Sequence, residues 1–349
     1  MEKSLKKDII INRLPVVIYF ILIFAALMVM ISAVAPMSNH EPKTMDTYSD
    51  FSTGWLNCEE SEASLDHLSG TTVIHRTITA ADCNKTLFFF AKTSNIKVFI
   101  DGVCQYRNNH FCSQFFGKTP GALFVNVLIP AKSDGKLLEI EIENPYKDDD
   151  SAKLDEMYIG DISDIIQFQQ QKRFNSFCIS FIIMVLGVVM LLLFIPLTRQ
   201  KIVGIEFLNL GVTAFVSGLY LTTDGRYLQL VFGDAHIYHV IAETALRLSI
   251  LPFLIFLSQM YESYSKRISA ILCVIGEIAF AGCFIGEITE IMDYHETLFL
   301  VHVVFAISML FILVSTIKGI VKAPKENIYH NIGCIVLSFM AMTDIIILW

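Results

Sequence analysis

The sequence predicts a multidomain membrane protein: an N-terminal signal anchor over residues 1–36, an exported all-β domain of jelly-roll or sandwich type over 37–170, and a transmembrane bundle of six helices over 171–349. Three observations carry that expectation. Of 349 residues, 54% are hydrophobic and 17% charged, with a mean hydropathy of +0.56, too apolar for a soluble chain of this length. Short strand-like runs crowd the first half of the chain, and apolar runs of about 20 residues, divided by brief polar links, fill the second.

Residues 1–14 carry Lys3, Lys6, Lys7 and Arg13, and an apolar run over 16–31 follows. This is the layout of a secretory signal or signal anchor. Ala33-Val34-Ala35 offers a cleavage pattern, but Pro36 follows the cut and obstructs signal peptidase, so the reading is an uncleaved anchor with a cytoplasmic N-terminus.

The next region reads as β. Runs rich in Val, Ile, Phe and Tyr occur at 71–78, 86–92, 96–106, 122–129 and 137–143, each bounded by turn residues. In the last of them Ile140 and Ile142 point to a core while the alternating glutamates face water. Asp101-Gly102 is a two-residue hairpin turn. Residues 37–172 hold 20 acidic and 12 basic side chains, a difference that accounts for the whole formal charge of −8. So acidic a module does not suit nucleic acid, which needs a basic face.

Spans are expected near 174–197, 202–222, 236–258, 268–288, 297–319 and 330–349. The links test this count, because basic residues (Arg199 and Lys201; Lys266 and Arg267; Lys318, Lys322 and Lys325) fall on every second link. The alternate links carry Asp224 and Asp234, or Glu287, Glu290, Asp293 and Glu296. The positive-inside rule then places the basic links in the cytoplasm and residues 37–170 outside. Residues 219–259 form the hairpin around which the rest is arranged. A span ends in the outer elbow Thr222-Thr223-Asp224-Gly225-Arg226, a short amphipathic piece follows, and the next span carries Glu243 and Arg247.

Catalytic signatures are missing. Gly117-Lys118-Thr119 hints at a P-loop, but position 112 is Cys112 where the motif needs glycine, so it reads as a strand-edge turn. Asp148-Asp149-Asp150 lacks the spacing of a calcium loop and reads as a solvated turn. No enzyme activity, metal or cofactor is expected of these residues. Cys104 and Cys112 are near enough in sequence to close a short loop if the region is exported, although spacing fixes no pairing.

Ionisable residues in apolar spans are costly and are normally paired or face a cavity. Glu243 and Arg247 stand four apart on one helix and are expected to pair, with Glu277 as the alternative partner of Arg247; His302 and Asp344 lie in the outer halves of their spans. A structural ion pair locking the bundle is the leading reading, and a signalling or ligand contact the second. Gly282 and Gly286 are spaced for a close helix contact. In the β domain, Trp55, Tyr106, Arg107 and His110 are the candidate ligand-lining residues, Trp55 being better read as core or an edge plug.

Phe51-Ser52-Thr53-Gly54-Trp55, the FGKTPG stretch from Phe116 to Gly121, Met157-Tyr158-Ile159-Gly160 and the long GLYLTTDGRYLQLVFGDAHIYHVIAETALRLSILPFLIF block appear in this order. With the anchor and the exported domain, this pattern resembles the bacterial seven-transmembrane receptors with diverse intracellular signalling modules, especially clostridial versions ending in a diguanylate cyclase (GGDEF) domain. The resemblance implies a carbohydrate-binding jelly roll outside, a cyclase, histidine kinase or phosphatase inside, and a homodimer. The GGDEF signature is not in the sequence, and one further span is expected before an output domain. The expectation is thus the sensor portion of a receptor for a small extracellular ligand, carbohydrate being the candidate class. The rival readings are a transporter or accessory subunit that uses the buried Glu and Arg, and an adhesion module on a membrane scaffold.

Overall fold

The computed structural model describes residues 47–108, 121–146, 151–233, 235–262, 264–322 and 328–347. The anchor segment, His110, Cys112, the Gly117-Lys118-Thr119 turn and the Asp148-Asp149-Asp150 run lie outside the described residues.

Among the described residues nine strands form two antiparallel sheets: β1 (Tyr48–Asp50), β2 (Leu56–Asn57), β3 (Thr71–Thr77), β4 (Thr86–Lys92), β5 (Asn95–Ile100), β6 (Val103–Arg107), β7 (Ala122–Leu128), β8 (Leu137–Glu143) and β9 (Lys153–Gly160). The order is β1-β9-β4-β7 in one sheet and β2-β3-β8-β5-β6 in the other. The apolar sides of the two sheets face each other, with Ile74, Ile96, Val98, Ile140 and Ile142 from one meeting Leu87, Phe89, Val125, Leu154 and Ile159 from the other in a single buried cluster. That is a sandwich core, and the alternation within β8 is its direct cause.

The expected 96–106 run is two strands. Ile100 pairs with Val103 across a turn in which Asp101 (φ 53) and Gly102 (φ 74) are both left-handed, the conformation of a tight hairpin. Trp55 is 1% exposed, its indole N–H donates to the Phe51 carbonyl at 2.8 Å, and its ring meets Phe51 edge-on. It is therefore a core residue and is withdrawn as a ligand contact. Cys104 is an exposed free thiol.

Seven helices follow among the described residues: α1 (Ile162–Arg199), α2 (Ile205–Asp224), α3 (Tyr227–Phe232), α4 (Ala235–Met260), α5 (Lys266–Ile288), α6 (Leu298–Lys322) and α7 (Ile328–Ile347). Among the described residues, α1, α2, α4, α5 and α6 are each long and apolar enough to cross a membrane, which makes this a multi-pass membrane protein. Of the stretch expected to hold a sixth span, 330–349, the residues up to Ile347 belong to α7. The boundary between the two regions lies nearer the N-terminus than expected. Asp161 caps α1, its carboxylate accepting from Ser163 N at 2.8 Å, so residues 162–170 belong to the helix and not to the β domain.

Helices α1 and α2 pack through glycine. A Cβ added to Gly187 would sit 2.3 Å from Phe215 N, and one added to Gly218 would sit 2.3 Å from Met184 N, so the two backbones touch. The expected Gly282/Gly286 pair does not serve this purpose, since nothing lies within 4 Å of a Cβ at Gly282 and Gly286 meets only Met292 of its own following loop.

Candidate functional site

The candidate site is the junction between the sandwich and the helix ends. Most sheet faces alternate buried with wetted residues, but β4 is buried along six of its seven positions. Leu87, Phe89 and Ala91 enter the sandwich core, whereas Phe88 and Phe90 point the other way. They are dry because helix ends cover them. Arg226, in the elbow, lies 3.8 Å over the Phe90 ring, and Arg173 of α1 lies 5.1 Å from the centre of Phe124, which stacks on Phe88. The four-stranded sheet therefore rests on the helical region by an aromatic face.

Three attachments hold it there. The first is on α1. Strand β9 is irregular opposite β4 between Phe88 and Phe90, and Glu156 there adopts a left-handed φ of 52°. Such a bulge re-aims a side chain. Here it sends the Glu156 carboxylate to Lys172 Nζ (2.8 Å) and to Arg173 (2.6 Å), while Arg173 also donates to the Gln169 side chain. Tyr48 and Tyr158 close around Phe168 beside it. Burial alone would raise the Glu156 carboxyl, but the hydrogen bonds from Lys172 and Arg173 outweigh it and hold the group below its ordinary value of 4.5. A depressed carboxylate contributes stability that is complete above the unfolded value and is lost as the pH falls through the folded one. The expected result is that Glu156→Gln lowers the unfolding temperature at neutral pH and flattens its fall into acid, as read by thermal denaturation across that range.

The second attachment is the elbow. Arg226 takes a left-handed φ of 63° to turn the chain from α2 into α3. In the amide orientation that satisfies both groups, Gln229 of α3 donates to Ala122 O (3.0 Å) and accepts from Phe124 N (2.9 Å), occupying the open edge of β7. Tyr227 stacks on Phe177 of α1 at 4.5 Å. Between this elbow and the sheet lies a cleft of about 510 Å³. Phe88, Tyr106, Arg107, Phe124 and Asn126 line it from the sandwich, and Gln229, Leu230 and Gly233 from the elbow, with Ile166 of α1 at its side. Two of the four residues expected to bind ligand, Tyr106 and Arg107, thus share a wall with the elbow. Arg107 is exposed and makes no ion pair or hydrogen bond through its side chain among the described residues. Burial pushes the Tyr106 phenol above its ordinary value, so it stays protonated.

The third attachment is the loop between α5 and α6, which the sequence marks only as an acidic outer link. Tyr146 donates to the Asp293 carboxylate in a short hydrogen bond, its ring stacks on His295 at 4.3 Å, and Ser151 lies 3.4 Å from His295 Nε2. Tyr294, between these two, faces the bundle. Arg247 donates to the Tyr294 carbonyl at 2.8 Å and lies 4.1 Å over its ring; the Tyr294 hydroxyl meets Thr244 at 3.0 Å, and its amide donates to Glu287 Oε2 at 2.5 Å. The Arg247 side chain is 1% exposed and pairs with Glu243 at 2.5 Å, the i, i+4 pair expected. Glu277 is an exposed residue of α5 and is not the partner of Arg247. His302 is buried on α6, and Asp344 is a backbone position on α7. A contiguous path therefore runs from Tyr146 in the sandwich through 293–295 to Arg247 among the spans. Tyr146→Phe is expected to lower stability by about 1–3 kcal/mol, because it removes a hydrogen bond to a buried carboxylate; chemical denaturation of the full chain in lipid measures it.

All three attachments, at the start of α1, the α2–α4 elbow and the α5–α6 loop, meet the same end of the helices. The basic links after α1, α4 and α6 lie at the other end. The residues that build the path could have been suspected from the Asp-Tyr-His-Glu run at 293–296, an unusually functional composition for a short link. Comparisons with protein-family models, with curated proteins and with solved structures gave no match for this chain.

Proposed function

We propose that the chain is the sensor portion of a transmembrane signalling receptor, in which a small extracellular ligand enters the sandwich cleft and shifts the helices through the elbow. The observation that carries this reading is the shared wall: Arg107 and Tyr106 on one side of the cleft and Gln229 and Leu230 on the other. A ligand touching both sides binds the bundle states unequally as soon as the elbow moves, which is the condition for coupling. The aromatic rings of Phe124 and Tyr106 beside the polar Arg107 and Asn126 suit a sugar-like ring, and carbohydrate is the proposed ligand class. The finer parts of the proposal are a sandwich of jelly-roll type, an N-terminal anchor starting in the cytoplasm of a bacterial cell, six spans after it, and an output of cyclase or kinase type reached through a homodimer. Acidic links on the sandwich side and basic links opposite support the orientation.

The test uses the full chain in nanodiscs, screened against neutral and acidic saccharides by thermal shift. Spin labels at Arg199 and Lys266 then report distances between links at the far end. Ligand binding that changes those distances supports the receptor; saturable binding with no change in any helix distance sinks it in favour of an adhesion module. Arg107→Ala is expected to weaken binding by about 10- to 150-fold, the loss of one charged hydrogen-bonding group, with the unfolding midpoint unchanged.

A further inference from the structure

The bundle holds a second cavity, separate from the sandwich cleft. It measures about 350 Å³ and lies between α2, α4 and α6, reaching Leu337 of α7. Most of its wall is apolar, supplied by residues such as Leu246, Phe253, Phe305 and Met309. One wall differs. Thr213, Ser217 and Tyr220 follow one another at spacings of four and three along α2, which places them on a single face, and Ser249 of α4 and His302 of α6 complete a polar band. Polar residues inside a span are normally turned towards a partner helix or a cavity that uses them.

The state of these hydroxyls defines the chemistry. Thr213 donates to the Asn209 carbonyl at 2.8 Å and Ser249 to the Leu246 carbonyl at 2.8 Å, so each presents its oxygen to the cavity as an acceptor. The Ser217 hydroxyl has no hydrogen bond among the described residues and is an open donor. No Asp, Glu, Lys or Arg lines the cavity among the described residues. The volume falls within the range of about 300–1,000 Å³ usual for small-molecule sites, and a mostly apolar wall with a few convergent polar groups is their usual composition.

We propose that this cavity binds a neutral amphiphile drawn from the bilayer, an apolar body with one hydroxyl or carbonyl head bonded to Ser217. Absence of a lining charge argues against a carboxylate or phosphate head, whose desolvation nothing there would offset. Ile250, Val301 and Phe305 line both this cavity and the narrow gap beside Arg247, so an occupant bears directly on the packing around that residue. The inference does not depend on what enters the sandwich cleft.

The experiment photolabels the full chain in phosphatidylcholine nanodiscs with a diazirine-bearing hexadecanol and maps the labelled peptides. The expected result is saturable labelling at Phe253, Phe305 or Met309, competed by unlabelled hexadecanol. Ser217→Phe, which fills the cavity, should abolish it without changing the labelling of Ile271 and Ile278 on the exposed side of α5. Ser249→Phe does the same from α4 and replaces it should Ser217→Phe fail to fold. Ser217→Ala should keep the cavity but weaken competition by hexadecanol about three- to tenfold relative to hexadecane. Labelling that does not saturate and is equal on α5, equal saturation by a diazirine-bearing phosphatidylcholine, or better competition by hexadecanoic acid than by hexadecanol would each overturn the proposal.

Discussion

Arg247→Met is expected to destabilise the helical region by about 3–5 kcal/mol, the usual consequence of removing one member of a buried ion pair. Five contacts go at once: the Glu243 carboxylate, the Glu243 carbonyl at 2.9 Å, the Tyr294 carbonyl, the Tyr294 ring and the longer contact to Thr297 at 3.5 Å. Glu243 is left with only 19% of its side chain exposed and, among the described residues, no other salt-bridge partner. The double variant Glu243→Gln/Arg247→Met removes the stranded charge and should recover a large part of the loss. Unfolding in mixed micelles measures both, and a loss below about 1 kcal/mol for the single change, the size of an exposed pair, would show that water reaches the site and that the lock assigned to Arg247 does not exist. Because the Tyr294 loop also carries Asp293 and His295, the single variant should further loosen the Tyr146 attachment. On the receptor reading proposed above, its signature is a sandwich that keeps its affinity for ligand while the far helix ends no longer respond.

Gly218→Val carries the second large effect. Its new Cβ would fall 2.3 Å from the backbone nitrogen of Met184, a group that cannot rotate away, so α1 and α2 must separate along their whole contact. Overpacking commonly costs about 1–3 kcal/mol, and a clash with backbone belongs at or above the upper end. Gly187→Val should act in the same way from the other helix, against Phe215. Each single variant already parts the helices, so the pair should cost less than the sum of the two. Additive losses would mean that the two glycines do not share one crossing.

Much of the architecture was legible in the sequence, and the exceptions have physical causes. Period-two or wholly apolar runs located β3, β4, β7 and β8, and Asp101-Gly102 marked the hairpin between β5 and β6. Strands β1 and β2, three and two residues long, are too short to show a period. In β9 the left-handed Glu156 breaks the alternation. The early start of α1 was hidden because residues 162–173 include Gln167, Gln169, Gln170 and Gln171 and no apolar run. The Asp161 cap, a local contact to Ser163, and the packing of Phe168 on two tyrosines stabilise that turn instead, and the second is a tertiary fact. At the site, Glu243 and Arg247 were legible because a helix fixes four-residue neighbours. Tyr146 and Asp293 stand 147 residues apart, and no local rule brings them together. Tyr106 and Arg107 could be read as exposed ends of a sandwich, but their sharing of a cleft with Gln229 is a product of how the sheet is seated.

Helix α1 has one further consequence. At 38 residues and about 1.5 Å each it is roughly 57 Å long, nearly twice the ~30 Å hydrocarbon layer. Strand β9, held between β1 and β4, passes into it through the single residue Asp161, with Glu156 clamped back onto Lys172 and Arg173. Sandwich and helix are thus geared as a crank and its shaft. Each degree of tilt imposed at the sheet end displaces the Arg199 end by about 1 Å over that length. A rocking motion too small to open the sandwich core would still be a displacement of several ångströms at the far ends of the spans.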